Sequence, residues 1–121
     1  DWVDTHAWHI RPELVRALRD DDPGDDNPGV TFLFGAVANE REVWSLFDRV
    51  GCIVIDDDTV RHRLASRTTN AFGKHPADLE RILGWNRELE AAYRRAGATI
   101  IDGTRPVDEI VSVVLRLGDG L

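Results

Sequence analysis

The chain has 121 residues, of which 42% are apolar and 31% are charged, a balance typical of one folded domain over residues 1–121. Its net charge of −7 argues against a nucleic-acid-binding surface and against attachment to an anionic membrane. No apolar run in the sequence approaches the roughly 20 residues of a membrane span. A single cysteine, Cys52, excludes an internal disulfide, and we expect a cytoplasmic protein in which this residue lies in the core.

The first third of the chain predicts a helix, a loop, a strand and a second helix. Pro12 suits the first turn of a helix, and apolar residues then recur at helical spacing. Residues 20–29 are rich in Asp, Pro and Gly, which favours a solvated loop. The apolar run Val30–Phe34 predicts a buried strand. Asn39 and Glu42 have the spacing of a capping box and predict the start of a helix.

Beyond residue 50, apolar runs alternate with helical patterns. Asp57 or Asp58 is expected to cap the first of these helices. The last helix is expected to bury its apolar residues, among them Val107, Val111 and Leu115. The expected strands and helices lie, in chain order, at residues 52–55, 60–65, 76–97, 99–101 and 106–117.

The predicted strands are continuous apolar runs, which is typical of a parallel sheet covered by helices on both faces. We therefore predict an α/β fold. In such sheets, ligands bind beyond the carboxyl ends of the strands. Those ends fall at residues 35–39, 56–58 and 102–105. Three strands are few for this number of helices, so we expect the sheet to lack at least one strand.

Two arginines are the strongest candidates for binding a ligand. Arg63 and Arg67 stand four residues apart, so they share one face of a predicted helix. Two guanidinium groups that converge on one spot suit the oxygens of a phosphate. The spacing alone favours the plainer alternative, a solvated helix face that pairs with nearby acids.

Other candidate motifs are less specific. The Gly73–Lys74 pair does not belong to a phosphate-binding P-loop, because Thr68 and His75 occupy positions that need Gly and Ser or Thr. Asp56 and Asp102 follow apolar strands, as magnesium-binding acids do, although any strand that leads into a capped helix gives the same pattern. The four histidines have no zinc-ligand spacing.

Taken in chain order, several segments resemble those of the P-loop nucleoside and nucleotide kinases. That group contains adenylate kinases, shikimate kinases and small bacterial AAA-domain ATP-binding proteins. The resemblance spans nearly the whole chain, from Trp2 to Leu117. The segments that carry it are Val30–Asn39, Leu46–Asp48, Arg63–Lys74 and Ile101–Pro106.

The resemblance implies a three-layer α/β/α fold whose parallel strands have the order 2-3-1-4-5. It also implies an ATP-dependent phosphotransferase that acts on a small molecule, namely a nucleoside, a nucleotide or a hydroxylated metabolite. ATP and Mg²⁺ would be its cofactors, with Mg²⁺ bridging the phosphates. A lid at about residues 66–76 would close over ATP.

The same resemblance implies roles for individual residues. Arg67 would reach the phosphates and Lys74 would lie in the lid, so these two are the candidate catalytic residues. The implied nucleotide-binding residues are Arg63, Gly103, Thr104, Arg105 and Pro106, and the implied acceptor-binding residues are Asp4, Trp8 and Asn39. From the residues alone, Trp2 and Trp8 fit either a wall for a planar ligand or ordinary packing.

The chain departs from this family in one large respect, because it has no opening strand with a glycine-rich phosphate loop. We therefore expect an N-terminally incomplete kinase domain that is inactive alone. In its sheet, the central strand that would lie between the strands at Val30 and Cys52 would be missing. One alternative is a non-catalytic nucleotide-binding or regulatory module. Another is a homodimer in which a second copy fills the gap in the sheet. No nucleic-acid or membrane partner is expected.

Overall fold

The computed structural model describes residues 6–20, 29–68 and 74–119. In these residues the protein is a mixed α/β structure with five α-helices and a two-stranded parallel sheet. They fall into two compact units, one ending at Asp48 and the other spanning Arg49–Asp119. The expectation of a single domain over the whole chain stays a prediction. None of the helices in the described part is long and apolar enough to cross a bilayer.

The first unit contains two helices. Helix α1 spans Pro12–Asp20 and begins at the proline, as predicted. Helix α2 spans Glu40–Val43 and continues into a short 3₁₀ turn, Trp44–Leu46. The Arg19 guanidinium at the end of α1 donates a hydrogen bond of 2.8 Å to the Leu46 carbonyl, which holds the two helices together.

The prediction of a buried strand at Val30–Phe34 is wrong. These residues form neither a strand nor a helix, and their side chains are exposed, with Phe34 at 69%. The sequence run has the composition of a strand, but a strand also needs a neighbour to pair its backbone N–H and C=O groups. In the described residues the sheet consists of two other strands, and this run pairs with neither of them.

The second unit is built around the parallel sheet. Its two strands are in register, with Cys52 opposite Ile100 and Val54 opposite Asp102. Parallel strands need a long crossover connection, and two of the three helices of this unit supply it. The elements are, in chain order, β1 (Gly51–Val54), α3 (Asp57–Ser66), α4 (Pro76–Arg95), β2 (Thr99–Asp102) and α5 (Val107–Leu117).

The buried side chains of this unit come from both strands and the crossover helices. They are those of Cys52, Val60, Leu83 and Ile101. The prediction that Cys52 is a small core residue is therefore confirmed. Helix α5 contacts β2, yet Val107, Val111 and Leu115 are exposed, so the prediction that they face inward is wrong. Their periodicity marks an apolar face, but periodicity alone does not say which face meets the sheet.

Gly103 lies at the point where β2 ends, and the backbone of β1 approaches it closely. Its N–H donates a hydrogen bond of 2.7 Å to the Val54 carbonyl. A β-carbon on Gly103 would lie 2.8 Å from the Cγ2 atoms of both Ile53 and Ile55 and 3.0 Å from the Val54 carbonyl oxygen. Glycine is therefore needed here because there is no room for a side chain.

We expect the substitution Gly103→Ala to destabilise the second unit by about 1–3 kcal/mol, the usual cost of forcing an extra methyl group into a packed site. The measurement is the free energy of unfolding from a urea titration. The matched control is Gly84→Ala in the middle of α4, where a β-carbon would meet nothing within 4 Å. That change should stabilise the helix by about 0.5–1 kcal/mol. Equal effects at both glycines would contradict this account.

Candidate functional site

The carboxyl ends of β1 and β2 lie side by side, because the strands are parallel and Val54 is opposite Asp102. We call this part of the molecule the carboxyl edge. It consists of the residues that follow each strand, 55–57 after β1 and 103–106 after β2, together with Asp102. Ligands of parallel sheets bind at this position. Four of the implied nucleotide-binding residues (Gly103, Thr104, Arg105 and Pro106) belong to it by sequence.

Asp56 caps helix α3 at the carboxyl edge. Its carboxylate accepts a hydrogen bond of 2.6 Å from the Thr59 N–H. The expectation that Asp57 or Asp58 is the cap is wrong. The helix already begins at Asp57, so the residue before it, Asp56, is the N-cap. Hydrogen bonding by Thr59 lowers the pKa of Asp56, and the nearby negative charge of Asp102 acts in the opposite direction.

Asp102 organises the loop after β2 in a similar way. Its Oδ1 accepts hydrogen bonds from the Thr104 N–H at 2.9 Å and from the Thr104 hydroxyl at 2.6 Å. These bonds lower the pKa of Asp102, and the charge of Arg105 lowers it further. The Arg105 guanidinium lies 3.6 Å from Oδ2 of Asp102 and 3.8 Å from Glu109. The cation of this loop, Arg105, therefore lies beside the carboxylates of both Asp102 and Glu109.

Arg63 joins helix α3 to the loop after β2. Its Nη2 donates a hydrogen bond of 2.9 Å to the Gly103 carbonyl, across a sequence separation of 40 residues. Two of the residues to which the family resemblance gives a nucleotide-binding role are thus in direct contact. The contact places a guanidinium group at the carboxyl edge. The backbone beside it, at Gly103, has no room for a side chain.

Arg67 lies directly at the end of helix α3. Helix α3 ends at Ser66, and Arg67 follows it as the C-cap with an extended backbone (φ −71°, ψ 132°). Its N–H donates to the Arg63 carbonyl at 3.1 Å. This bond has the i to i−4 spacing of a helix, so the chain leaves the helical path only after Arg67, and the shared face of the two arginines stays a prediction. Lys74 is exposed and lies outside any helix. Of the predicted lid at 66–76, residues 69–73 lie outside the described residues.

The implied acceptor-binding residues belong to the first unit, and two of them lie on neighbouring segments. The Asn39 side chain is buried; its Oδ1 accepts from the Ile10 N–H at 2.9 Å and its Nδ2 donates to the Ile10 carbonyl at 2.7 Å. The Ala38 N–H donates to the Trp8 carbonyl at 2.7 Å, and the Trp8 side chain is 74% exposed. Asp4 and Trp2 lie outside the described residues.

Asn39 also differs from its predicted capping role. It is the N-cap of α2 by position, but its side chain makes no capping hydrogen bond to that helix. Both polar groups of the amide bond to Ile10, which ties the segment before α1 to the start of α2, and Nδ2 also donates to the Glu42 carboxylate at 3.5 Å. A buried amide of this kind fixes two chain segments relative to each other.

Sequence analysis misses two residues of α4 that position the carboxyl edge. The Asn86 amide donates a hydrogen bond of 2.9 Å to the Ile55 carbonyl, directly after β1. The next residue, Arg87, forms an ion pair with Asp57, which raises the pKa of Arg87. Asparagine in the middle of a helix is unfavourable unless its side chain has a partner, and this is the signal that could identify Asn86.

The described residues do not form a protein-held metal centre. No group of three or more His, Cys, Asp or Glu side chains among them converges on one point. Asp56 and Asp102 accept hydrogen bonds from their own loops, and Arg105 lies beside the second of them.

The chain matches no protein-family model, no curated protein and no solved structure. An assignment of function therefore has to come from the residues at the carboxyl edge.

We expect the stability of the second unit to fall as the pH drops through the titration of Asp56 and Asp102. Their pKa values are lowered in the folded state, so their contribution is present above the unfolded value of about 3.9 and is lost as the pH falls below it. The measurement is the urea midpoint from neutral pH down to acid. Asp102→Asn should lower the midpoint at neutral pH and make the acid-side decline shallower.

The control for this pH series is Asp58→Asn. The Asp58 carboxylate is exposed and pairs only with Arg61 on the same helix among the described residues, at 3.3 Å. An exposed pair of this kind contributes little to stability. The urea midpoint could instead fall equally steeply with decreasing pH in the wild type and in Asp102→Asn. That result would show that the hydrogen bonds from Thr104 to Asp102 do not stabilise the fold.

Proposed function

We propose that this protein contributes the nucleotide-binding edge of an ATP-dependent phosphotransferase of the P-loop kinase type. The acceptor is a small molecule, namely a nucleoside, a nucleotide or a hydroxylated metabolite. In the strand order proposed for this class, 2-3-1-4-5, the last two strands are neighbours in a parallel sheet. The parallel pairing of β1 with β2 agrees with that order.

The contact between Arg63 and the Gly103 carbonyl carries this proposal. It joins the helix that precedes the proposed lid to the loop that is proposed to border the adenine base. A guanidinium group has five N–H donors, and this contact uses one of them. We propose that the other N–H groups hold the ligand, so binding would not require the contact to break.

The proposed chemistry is positioning and charge neutralisation. Phosphoryl transfer needs cations around the transferred group and little covalent participation by the protein. Arg67 follows α3 directly and would reach the phosphates, and Lys74 would approach from the other end of the lid. Mg²⁺ would enter bound to ATP. The proposal also requires a glycine-rich phosphate loop, which these 121 residues do not contain.

A second candidate function is nucleotide binding without turnover. Asp56 and Asp102 favour it, because each of these carboxylates already accepts a hydrogen bond from a residue that follows it in the chain. A catalytic base or a metal ligand would need a carboxylate oxygen that faces the substrate. In this alternative, the edge binds a nucleotide as a regulatory signal and transfers no phosphoryl group.

We expect ATP·Mg²⁺ to bind to the full-length protein, and its Arg67→Ala variant to bind it more weakly by about 1–3 kcal/mol, the cost of losing a charged hydrogen-bond donor. The measurement is isothermal titration calorimetry. Arg16→Ala is the matched control, because Arg16 is an exposed arginine on helix α1. This control should bind ATP·Mg²⁺ as the wild type does.

The outcomes separate the candidate functions. Wild-type protein that gives no heat with ATP·Mg²⁺ would overturn both nucleotide proposals. Equal weakening in Arg67→Ala and Arg16→Ala would show a nonspecific effect of charge and remove Arg67 from the site. Binding with the expected loss in Arg67→Ala alone, followed by an assay for ADP release with a panel of hydroxylated acceptors, separates transfer from binding without turnover.

A further inference from the structure

Helix α5 has apolar side chains on two of its faces. One face meets the sheet, where Leu117 approaches Gly51 so closely that a β-carbon on the glycine would lie 2.9 Å from Cδ1 of the leucine. On another face, Val107, Val111 and Leu115 are 75%, 48% and 55% exposed. We call these three residues the outer stripe.

The outer stripe is continuous along the helix. Its members are four residues apart, so they lie on successive turns of one side, over a length of about 12 Å. A helix that is apolar on both its inner and its outer side normally has a cover on each. An exposed apolar surface of this kind typically marks a contact with another molecule.

We propose that the outer stripe is the contact surface of a homodimer, in which helix α5 of two copies of this chain pair in antiparallel orientation about a two-fold axis. The axis crosses the helix near Val111 and Ser112. Val107 of one copy then lies beside Leu115 of the partner subunit. The contact is self-complementary, as a two-fold interface must be.

The charges that flank the outer stripe decide the orientation. Asp108 and Arg116 lie on the same side of the helix, each four residues from Ser112. In the antiparallel pair, Asp108 lies opposite Arg116 of the partner subunit, and the symmetry repeats this ion pair. In a parallel two-fold pair, this flank of one helix would lie on the opposite side of the interface from the same flank of the other, so the ion pair could not form.

Neither of these two charged groups has an ion-pair partner among the described residues. Arg116 uses its Nε on the Ser112 carbonyl at 3.3 Å, which leaves its other N–H groups for a carboxylate. Glu109, the neighbouring acid, already lies 3.8 Å from Arg105 and does not compete. The second copy thus supplies partners for the apolar stripe and for both charges.

Size sets the expected strength of this dimer. A single pair of 11-residue helices falls below the interface size of most stable complexes. We therefore expect dissociation in the micromolar range or above, and a dimer that forms as the protein is concentrated.

The first test is sedimentation velocity of the whole chain at concentrations from about 5 to 500 µM, a range suited to weak specific contacts. The sedimenting mass should rise from that of one chain towards that of two. Val111→Glu should abolish the rise. Leu18→Glu is the matched control, because Leu18 is a similarly exposed apolar residue on α1, and it should leave the rise unchanged.

The second test exchanges the charges. Asp108→Arg alone and Arg116→Asp alone each place like charges opposite each other, and each should self-associate about tenfold more weakly than the wild type. An equimolar mixture of the two variants restores both ion pairs and should associate again. Circular dichroism checks that every variant keeps its helices.

Three results would overturn the proposal. The first is a wild-type mass that stays that of one chain over the whole concentration range. The second is association that survives Val111→Glu or is lost in Leu18→Glu. The third is a mixture of the two charge variants that associates no better than either variant alone, which would exclude the antiparallel arrangement.

Discussion

The parallel pairing of β1 with β2 is the constraint on which the second unit depends. It brings two carboxyl ends that are nearly 50 residues apart in sequence to one edge, with Val54 opposite Asp102. It also brings the backbone of β1 so close to Gly103 that no side chain fits there. The Gly103 carbonyl accepts a hydrogen bond from Arg63, which connects helix α3 to this edge. The candidate site is therefore a direct consequence of how two short strands pair.

The polar groups at this edge are satisfied locally before any ligand is considered. Asp56 and Asp102 each accept hydrogen bonds from the loop that follows them, and Arg105 balances part of the negative charge. Asn86 secures the end of β1 from the middle of α4. Such an edge is rigid without a ligand, which reduces the entropy that binding has to overcome. Because these carboxylates already accept hydrogen bonds, fewer of their oxygens can take part in chemistry.

Local signals in the sequence predict much of this fold, and long-range pairing explains the failures. Prolines at 12 and 76 begin helices as expected, because their effect depends only on the backbone of the first turn. Val30–Phe34 fails as a strand because strand formation depends on a neighbour that composition does not reveal. The contact between Arg63 and Gly103 is likewise invisible in either segment alone, since it depends on the packing of α3 against the end of β2.

Helix α5 links the candidate site to the proposed contact between copies. It begins directly after the loop 103–106, and its first residue, Val107, is also the first member of the outer stripe. A partner that covers Val107 would restrict the end of that loop, where the Pro106 carbonyl accepts hydrogen bonds from the first turn of the helix. The proposed nucleotide site and the proposed contact between copies therefore share one continuous segment, the loop 103–106 and the first turn of α5.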